Sequence, residues 1–315
     1  MTKPAVHVQP LVRQKALSLG APGEQWLAEL PGLVGELERR WSIDAGPPLP
    51  GGSSSYVARA RTGDGRDAVL KLSLPAPDFA DQVQTLRLAE GRGYVQLLAC
   101  DLQRHAMLQE ALGPPLDRLG LTPPQQIETL CAMLHSAWRV PRAPGPAIDP
   151  AREKAGALGE LVGRSWQSLG RPCPERVISR ALTFAGRRAA AFDPGRCVVV
   201  HGDPHPGNAL RVTAPRAGAG TGFVFVDPDG FLADPAYDLG VVLRDWCAEL
   251  RGMDAAAARG LIRSYCALLA DLTGVDRQAI WEWGFLERVS TGLYVLGFGA
   301  EELGRPFLDT AELLA

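Results

Sequence analysis

The chain has 315 residues and a net charge of −2, from 33 Lys and Arg against 35 Asp and Glu; 46% of it is hydrophobic and 22% charged. That length suits two lobes with a sizeable core, and the near balance of charge argues against a general nucleic-acid binder, which would carry a basic excess. The N-terminal MTKPAVHVQPLVRQKAL lacks the apolar stretch of a secretion signal, no apolar run reaches the length of a membrane span, and the six cysteines form no Cys-x-x-Cys pair, so the expectation is a reduced, cytoplasmic protein with no membrane partner.

In chain order, residues 24–41 carry Leu30, Leu33, Val34, Leu37 and Trp41 at helical spacing, with Pro31 placed in the first turn. The stretch DAGPPLPGGSSS then reads as a turn-rich break. Residues 55–60 and 67–73 read as strands joined through Asp64-Gly65, a hairpin signal. A helix over 78–90 and a second strand pair, 94–100 and 104–109, complete a small sheet with helices. After Gly113-Pro114-Pro115 the character becomes helical, at 125–138, 151–169 and 175–192. Two short apolar strands, 196–200 and 222–226, flank VTAPRAGAGTG, a loose hairpin tip, and the chain is mostly helical again from Asp238. This pattern is an α+β, bilobal architecture: a small β-rich lobe over residues 1–109 and a larger helical lobe over 110–315.

The polar residues at fixed positions cluster in VVVHGDPHPGNAL, Val198 to Leu210. Asp203 and Asn208 sit five apart in a loop that follows a buried strand, and Asp227 follows the next strand in FVFVDPDG. If those two strands pair, all three side chains reach one end of the sheet. Asn208 and Asp227 are hard oxygen ligands suited to magnesium, and Asp203 is then free to meet a substrate hydroxyl, the division of labour of kinase-type phosphoryl transfer. His201 and His205 invite a zinc reading, but Gly202, Pro204, Pro206 and Gly207 oppose the helix that would put both imidazoles on one face. A loop-bracing role is expected of His201. Asp229, two residues past Asp227, reads as a solvated turn acid, with indirect binding of a second metal as the alternative.

Lys71, on the strand DAVLKLS, is the natural partner of nucleotide phosphates, and the turn PGGSSSY places Gly51, Gly52, Ser53 and Ser54 over them. The helix after Lys71 offers Asp78, Asp81, Gln82 and Glu90 as partners for the ammonium.

With these residues in place, the chain resembles the aminoglycoside phosphotransferase family of the protein-kinase-like fold, and within it the streptomycin 6-phosphotransferase and hydroxyurea-resistance kinase group. VVVHGDPHPGN is similar to the family's catalytic loop and FVDPDGFLADPAYDLG to its metal-binding segment. The resemblance implies ATP and Mg2+, with Asp203 as catalytic aspartate, Asn208 and Asp227 as magnesium ligands, Lys71 on the phosphates, the backbone of Gln109, Glu110 and Ala111 as the adenine-binding hinge, and Asp238 as the aspartate that steadies the catalytic loop. Gln82 stands where family members commonly place a glutamate partner for the lysine, which leaves Asp81 or Gln82 for that role. The implied acceptor is a small hydroxylated molecule, including a cationic aminoglycoside, so acids are sought in the large lobe: Asp234, Asp245, Glu249, Glu282 and Glu287, with Asp245 and Glu249 sharing a helix face. Trp246, Trp281, Trp283 and Tyr294 are read as core. A choline, homoserine or sugar kinase of the same fold, and a nucleotide-binding pseudokinase, are the competing readings.

Overall fold

The computed structural model describes residues 6–50, 52–76, 78–142 and 154–315. Two helices, α1 (Pro10–Ser18) and α2 (Ala21–Trp41), precede a five-stranded antiparallel sheet of β1 (Ile43–Pro48), β2 (Ser55–Thr62), β3 (Asp67–Ser73), β4 (Leu97–Asp101) and β5 (Ala106–Glu110), in the order β1-β2-β3-β5-β4, with α3 (Phe79–Ala89) between β3 and β4. Then come α4 (Pro123–Ala137), α5 (Lys154–Ser168) and α6 (Glu175–Ala190), four short strands β6 (Val198–Val199), β7 (Ala209–Arg211), β8 (Phe223–Phe225) and β9 (Leu232–Ala233), and α7 (Ala236–Arg244), α8 (Cys247–Arg251), α9 (Ala255–Thr273), α10 (Arg277–Gly297) and α11 (Glu301–Leu314). Residues 151–153 of the stretch 151–169, expected to be helical, lie outside the described residues.

Strand alternation decides which way the sheet looks. Ala68, Leu70 and Leu72 of β3 bury into a core shared with Val12 and Ala16 of α1 and Trp26, Leu30 and Leu37 of α2. Lys71, between Leu70 and Leu72, therefore projects to the opposite face, beside Met107, its register partner on β5. That second face is closed by α3, whose Phe79, Val83 and Leu86 join Met107 in the larger core that runs through α4 to α11. The sheet thus has one face for its own helices and one that carries a charged side chain toward the large lobe.

Several expectations shift. Helix α2 begins at Ala21, so Pro31 lies inside it rather than in its first turn. The missing hydrogen bond there is outweighed by the buried row of Trp26, Leu30, Val34 and Leu37 on either side. The turn-rich break contains β1: Ile43 pairs with Thr62 and Pro48 with Ala58, across a register shift. Prolines fit because β1 is an edge strand, with one side free of ladder bonds. The strand expected at 94–100 starts at Leu97, while Tyr94 bridges to Phe225 of the large lobe. The strands at 198–199 and 223–225 do not pair with each other: β6 pairs with β9, and β7 with β8. Short strands leave most of the joining to single backbone bonds, Val226 N to Asn208 O (2.9 Å), Asp229 N to His201 O (2.7 Å) and Val200 N to Phe231 O (2.9 Å). These bonds bring the two segments together all the same.

Candidate active site

The catalytic-loop candidate is held almost entirely from below. Asp238, fully buried at the start of α7, accepts from the backbone amides of His201 (2.9 Å) and Gly202 (2.9 Å) and from the Trp138 indole (2.8 Å). Burial pushes its carboxyl up to about 6 against the pull of those three donors. His201 uses both ring nitrogens: Nε2 donates to Val226 O (2.9 Å) and Nδ1 accepts from Asp203 N (3.1 Å), while the ring stacks on Tyr94. Burial lowers its pKa to about 4, so it stays neutral, a brace rather than a metal ligand. Gly202 has φ +92°, and a Cβ there would sit 2.6 Å from the Asp229 side chain; only glycine fits. Asn208 donates from Nδ2 to Asp203 O (3.0 Å), which fixes the loop's turn and reserves the side-chain oxygen.

The carboxylate of Asp203 has a partner that sequence reasoning missed. Arg244 Nη2, in the last turn of α7, donates to Asp203 Oδ1 at 2.6 Å. His205 Nε2 lies 3.6 Å from Oδ2, and Gly207 N donates to His205 Nδ1, which puts the ring proton on the Asp203 side. Burial alone would raise the Asp203 pKa; the Arg244 charge, reinforced by His205, outweighs it and holds the group at about 2. Arg244 is itself backed by Glu287 (3.6 Å), whose other oxygen accepts from Tyr237 (2.7 Å). The arginine's spacing from Asp238, nearly two turns down one helix, was the available signal.

Opposite the loop, Lys71 Nζ donates to Asp227 Oδ1 (2.7 Å) and reaches Gln82 Oε1 at 3.5 Å. Gln82 is thus the α3 residue beside the ammonium, not Asp81, and the acidic partner comes from the large lobe. Asp227 has φ +57°, a left-handed backbone that is costly for an aspartate and places its carboxylate at the start of the segment after β8. Asp229 is not a solvated turn acid. It packs on Gly202, and burial plus the neighbouring Asp203 push its carboxyl up to about 7.

Of the nucleotide-loop residues, Gly51 lies outside the described residues, Gly52 and Ser53 are exposed, and Ser54 O accepts from Leu74 N (2.8 Å). At the hinge, Gln109 is buried, and the Glu110 side chain turns away to accept from Gln96 N (2.9 Å) and from Arg216. Ala111 follows the end of β5, half-buried. Arg216 sits in the hairpin tip read as loose. It also donates to Gly91 O (2.7 Å) and Tyr94 O (3.0 Å), and so ties the hinge to the large lobe.

Beside the catalytic loop lies a cavity of about 320 Å3, lined by Asp117, Gln126, His205, Asp245, Trp246 and Phe307 among others. Only Asp245 of the five expected acids lines it. Glu282 pairs with Arg187 and Arg188, Glu249 accepts from Tyr265, and Asp234 accepts from Ala236 N at the start of α7. Asp245 and Glu249 do not share a helix face. Arg288 Nη2 donates to Leu243 O (2.7 Å) and Arg244 O (3.3 Å), which closes α7, and Trp246 takes φ +61° before α8 begins. Trp246 therefore faces the cavity, whereas Trp283 is core.

A family model described as aminoglycoside/hydroxyurea antibiotic resistance kinase matches residues 40–296. The chain belongs to this family. The aminoglycoside/hydroxyurea resistance kinases are phosphotransferases acting on small molecules, and this chain is one of them. It is similar to streptomycin 6-kinase of Streptomyces glaucescens, 28% identical over 97% of this chain and 96% of that protein. A hydroxyurea phosphotransferase of Kitasatospora aureofaciens is 29% identical over 94% of this chain and 82% of its own length. Among solved structures, choline kinase LicA of Streptococcus pneumoniae covers 91% of this chain and 99% of its own with a TM-score of 0.59 at 14% identity. Macrolide 2'-phosphotransferase type I gives 0.52 over 90% and 97% at 18% identity. These two likenesses show the bilobal kinase-like fold and say nothing of the acceptor.

No helix among the described residues is long and apolar enough to cross a membrane.

Proposed function

We propose that this kinase transfers the γ-phosphoryl group of ATP to a hydroxyl of a small, cationic, hydroxylated acceptor held in the cavity beside the catalytic loop. Residues 1–109 bind the nucleotide, with the Gln109, Glu110 and Ala111 backbone at adenine, and residues 110–315 supply the catalytic loop, metal donors and acceptor site. The observation that carries this reading is Asp203: ionised, one oxygen engaged by Arg244, the other turned to His205, which itself lines the cavity.

Asn208 and Asp227 together offer two hard oxygen donors, a set that fits magnesium, which characteristically takes one or two protein ligands and completes its shell with phosphate and water. Magnesium, when bound, neutralises charge on the phosphates. Lys71, held by Asp227, adds a fixed positive charge to the same region. Asp203 orients the acceptor hydroxyl. A new oxygen–phosphorus bond forms to that hydroxyl, the bond between the γ-phosphorus and its bridging oxygen breaks, and ADP leaves with the electron pair. A carboxylate held at about 2 is a weak base, so Asp203 acts mainly by aligning the hydroxyl, whose proton passes to an oxygen of the transferred phosphoryl group late in a loose transition state.

Asp117 and Asp245 give the cavity two carboxylates, and Trp246 and Phe307 give it aromatic faces, a lining suited to a cationic ring system such as streptomycin. The test is a screen of streptomycin, other aminoglycosides, hydroxyurea and choline with Mg·ATP, followed by ADP release and the mass of the product. Addition of one phosphoryl group to a cationic acceptor is expected; ADP release with none of them would reject the acceptor assignment.

A further inference from the structure

Helix α1 lies before the segment matched by the family model, yet it reaches the nucleotide region. Its apolar side, Val12 and Ala16, is buried against α2 and the sheet, which fixes the helix in place. Its polar side meets the loop between β1 and β2 at two points. Gln9 Nε2 donates to Leu49 O (3.2 Å), and Lys15 Nζ donates to Ser54 Oγ (2.5 Å). The loop's far end is held by Leu74 N on Ser54 O. Lys15 also lies over the ring of Tyr294 on α10, 5.2 Å from its centroid. One side chain therefore touches the small lobe's glycine–serine loop and a helix of the large lobe.

The charge of Lys15 is the telling feature. Among the described residues no carboxylate pairs with it; its contacts are a neutral hydroxyl and an aromatic face. An ammonium held in place but not neutralised, on the loop assigned to the phosphates, favours an anion nearby. Resting on the nucleotide site assigned above, we infer that Lys15 is a phosphate-positioning residue. It fixes the loop through Ser54 and adds a second positive charge, after Lys71, to the field felt by the triphosphate. The segment outside the family match is then part of the nucleotide site.

Titration calorimetry on the full chain tests this with two probes, Mg2+ with a non-hydrolysable ATP analogue, and adenosine, which has no phosphate. Lys15→Met keeps the unbranched stem of the side chain and removes the charged end; Lys15→Arg keeps the charge. Lys15→Met is expected to weaken the triphosphate analogue about fivefold to tenfold, as for a partly exposed charged contact, and to leave adenosine within twofold. Lys15→Arg restores the analogue to within twofold of the native chain. Equal affinity of the Lys15→Met and native chains for the analogue overturns the proposal. So does an equal loss for both probes, which would mean a structural role in the lobe, and so does a failure of Lys15→Arg to rescue. A native chain that binds neither probe rejects the nucleotide site itself, an outcome distinct from a native chain that binds and a variant that binds equally well.

Discussion

The loop from His201 to Asn208 and the glycine–serine loop, the two assigned to the reactants above, are built in opposite ways. From His201 to Asn208, His201 is fully buried, both ring nitrogens of His201 are engaged, Asp238 takes two successive amides, and Asn208 and His205 close back on the Asp203 carbonyl. In the glycine–serine loop Pro50, Gly52 and Ser53 are exposed, Leu49 O and Ser54 O hold its ends, and among the described residues Ser53 Oγ meets Ser54 Oγ at 3.3 Å. The difference fits the roles proposed for them. Groups that orient a reacting hydroxyl work only if their dipoles are fixed before the substrate arrives. A cover over phosphates has to admit and release them, so it is drawn from the weakly held parts of the fold.

Removing the reacting group gives the largest effect. Asp203→Asn keeps the size of the side chain and loses its charge, so phosphoryl transfer is expected to fall about 10²–10⁴-fold, while affinity for Mg2+ with the ATP analogue stays within a few fold. Steady-state turnover paired with calorimetry reads both. Full turnover would remove Asp203 from the reaction.

Asp238→Asn attacks the support instead. Oδ2 accepts from His201 N and Trp138 Nε1, and Oδ1 from Gly202 N. An amide cannot accept on both sides, so at least one buried N–H meets another N–H. A loss of about 2–3 kcal/mol of stability is expected, from an unsatisfied buried donor within a charged network, seen as a lower thermal midpoint together with reduced turnover. A native midpoint would show that the loop stands without this anchor.

Arg244→Gln probes the electrostatics of the rigid side. It removes the charge that opposes burial at Asp203, so the carboxyl titrates at higher pH, and it leaves Oδ1 unheld. Turnover is expected to drop about 10–10²-fold, comparable to the loss of one fixed charged donor, with nucleotide affinity unchanged. An equal loss of nucleotide affinity would place Arg244 on the phosphates rather than on Asp203.

What was legible in the sequence follows the same division. The loop residues announce themselves because Gly202, Pro204, Pro206 and Gly207 are needed locally to leave the strand, and Asp203 and Asn208 sit among them. Lys71 was legible because alternation along β3 sets its face. The partners were not. Arg244, Asp117 and Arg216 come from elements that a local pattern reads as an ordinary helix end, a turn and a hairpin tip, and only the tertiary packing brings them to Asp203, the cavity and Glu110. Strand β1 was hidden because its prolines signal a break, and an edge position suspends that rule. The helix face expected of Asp245 and Glu249 failed because Arg288, 43 residues beyond Asp245 in the chain, ends α7 at Arg244.

The smallest effect is expected on the exposed side. Ser54→Ala removes one hydroxyl that accepts from Lys15 and leaves the backbone bond from Leu74 N to Ser54 O intact. A hydrogen bond to a charged donor in partial contact with water contributes about 1 kcal/mol net, and the freed ammonium can still turn toward the phosphates. The KM for ATP is therefore expected to rise no more than about threefold, with kcat unchanged. Without this hydroxyl the loop is still held by its backbone bonds and by Gln9 of α1 on Leu49 O. A tenfold or larger rise would mean that the serine itself grips the phosphates, and the contrast between a fixed catalytic loop and a lightly held cover would then have to be redrawn with Ser54 on the fixed side.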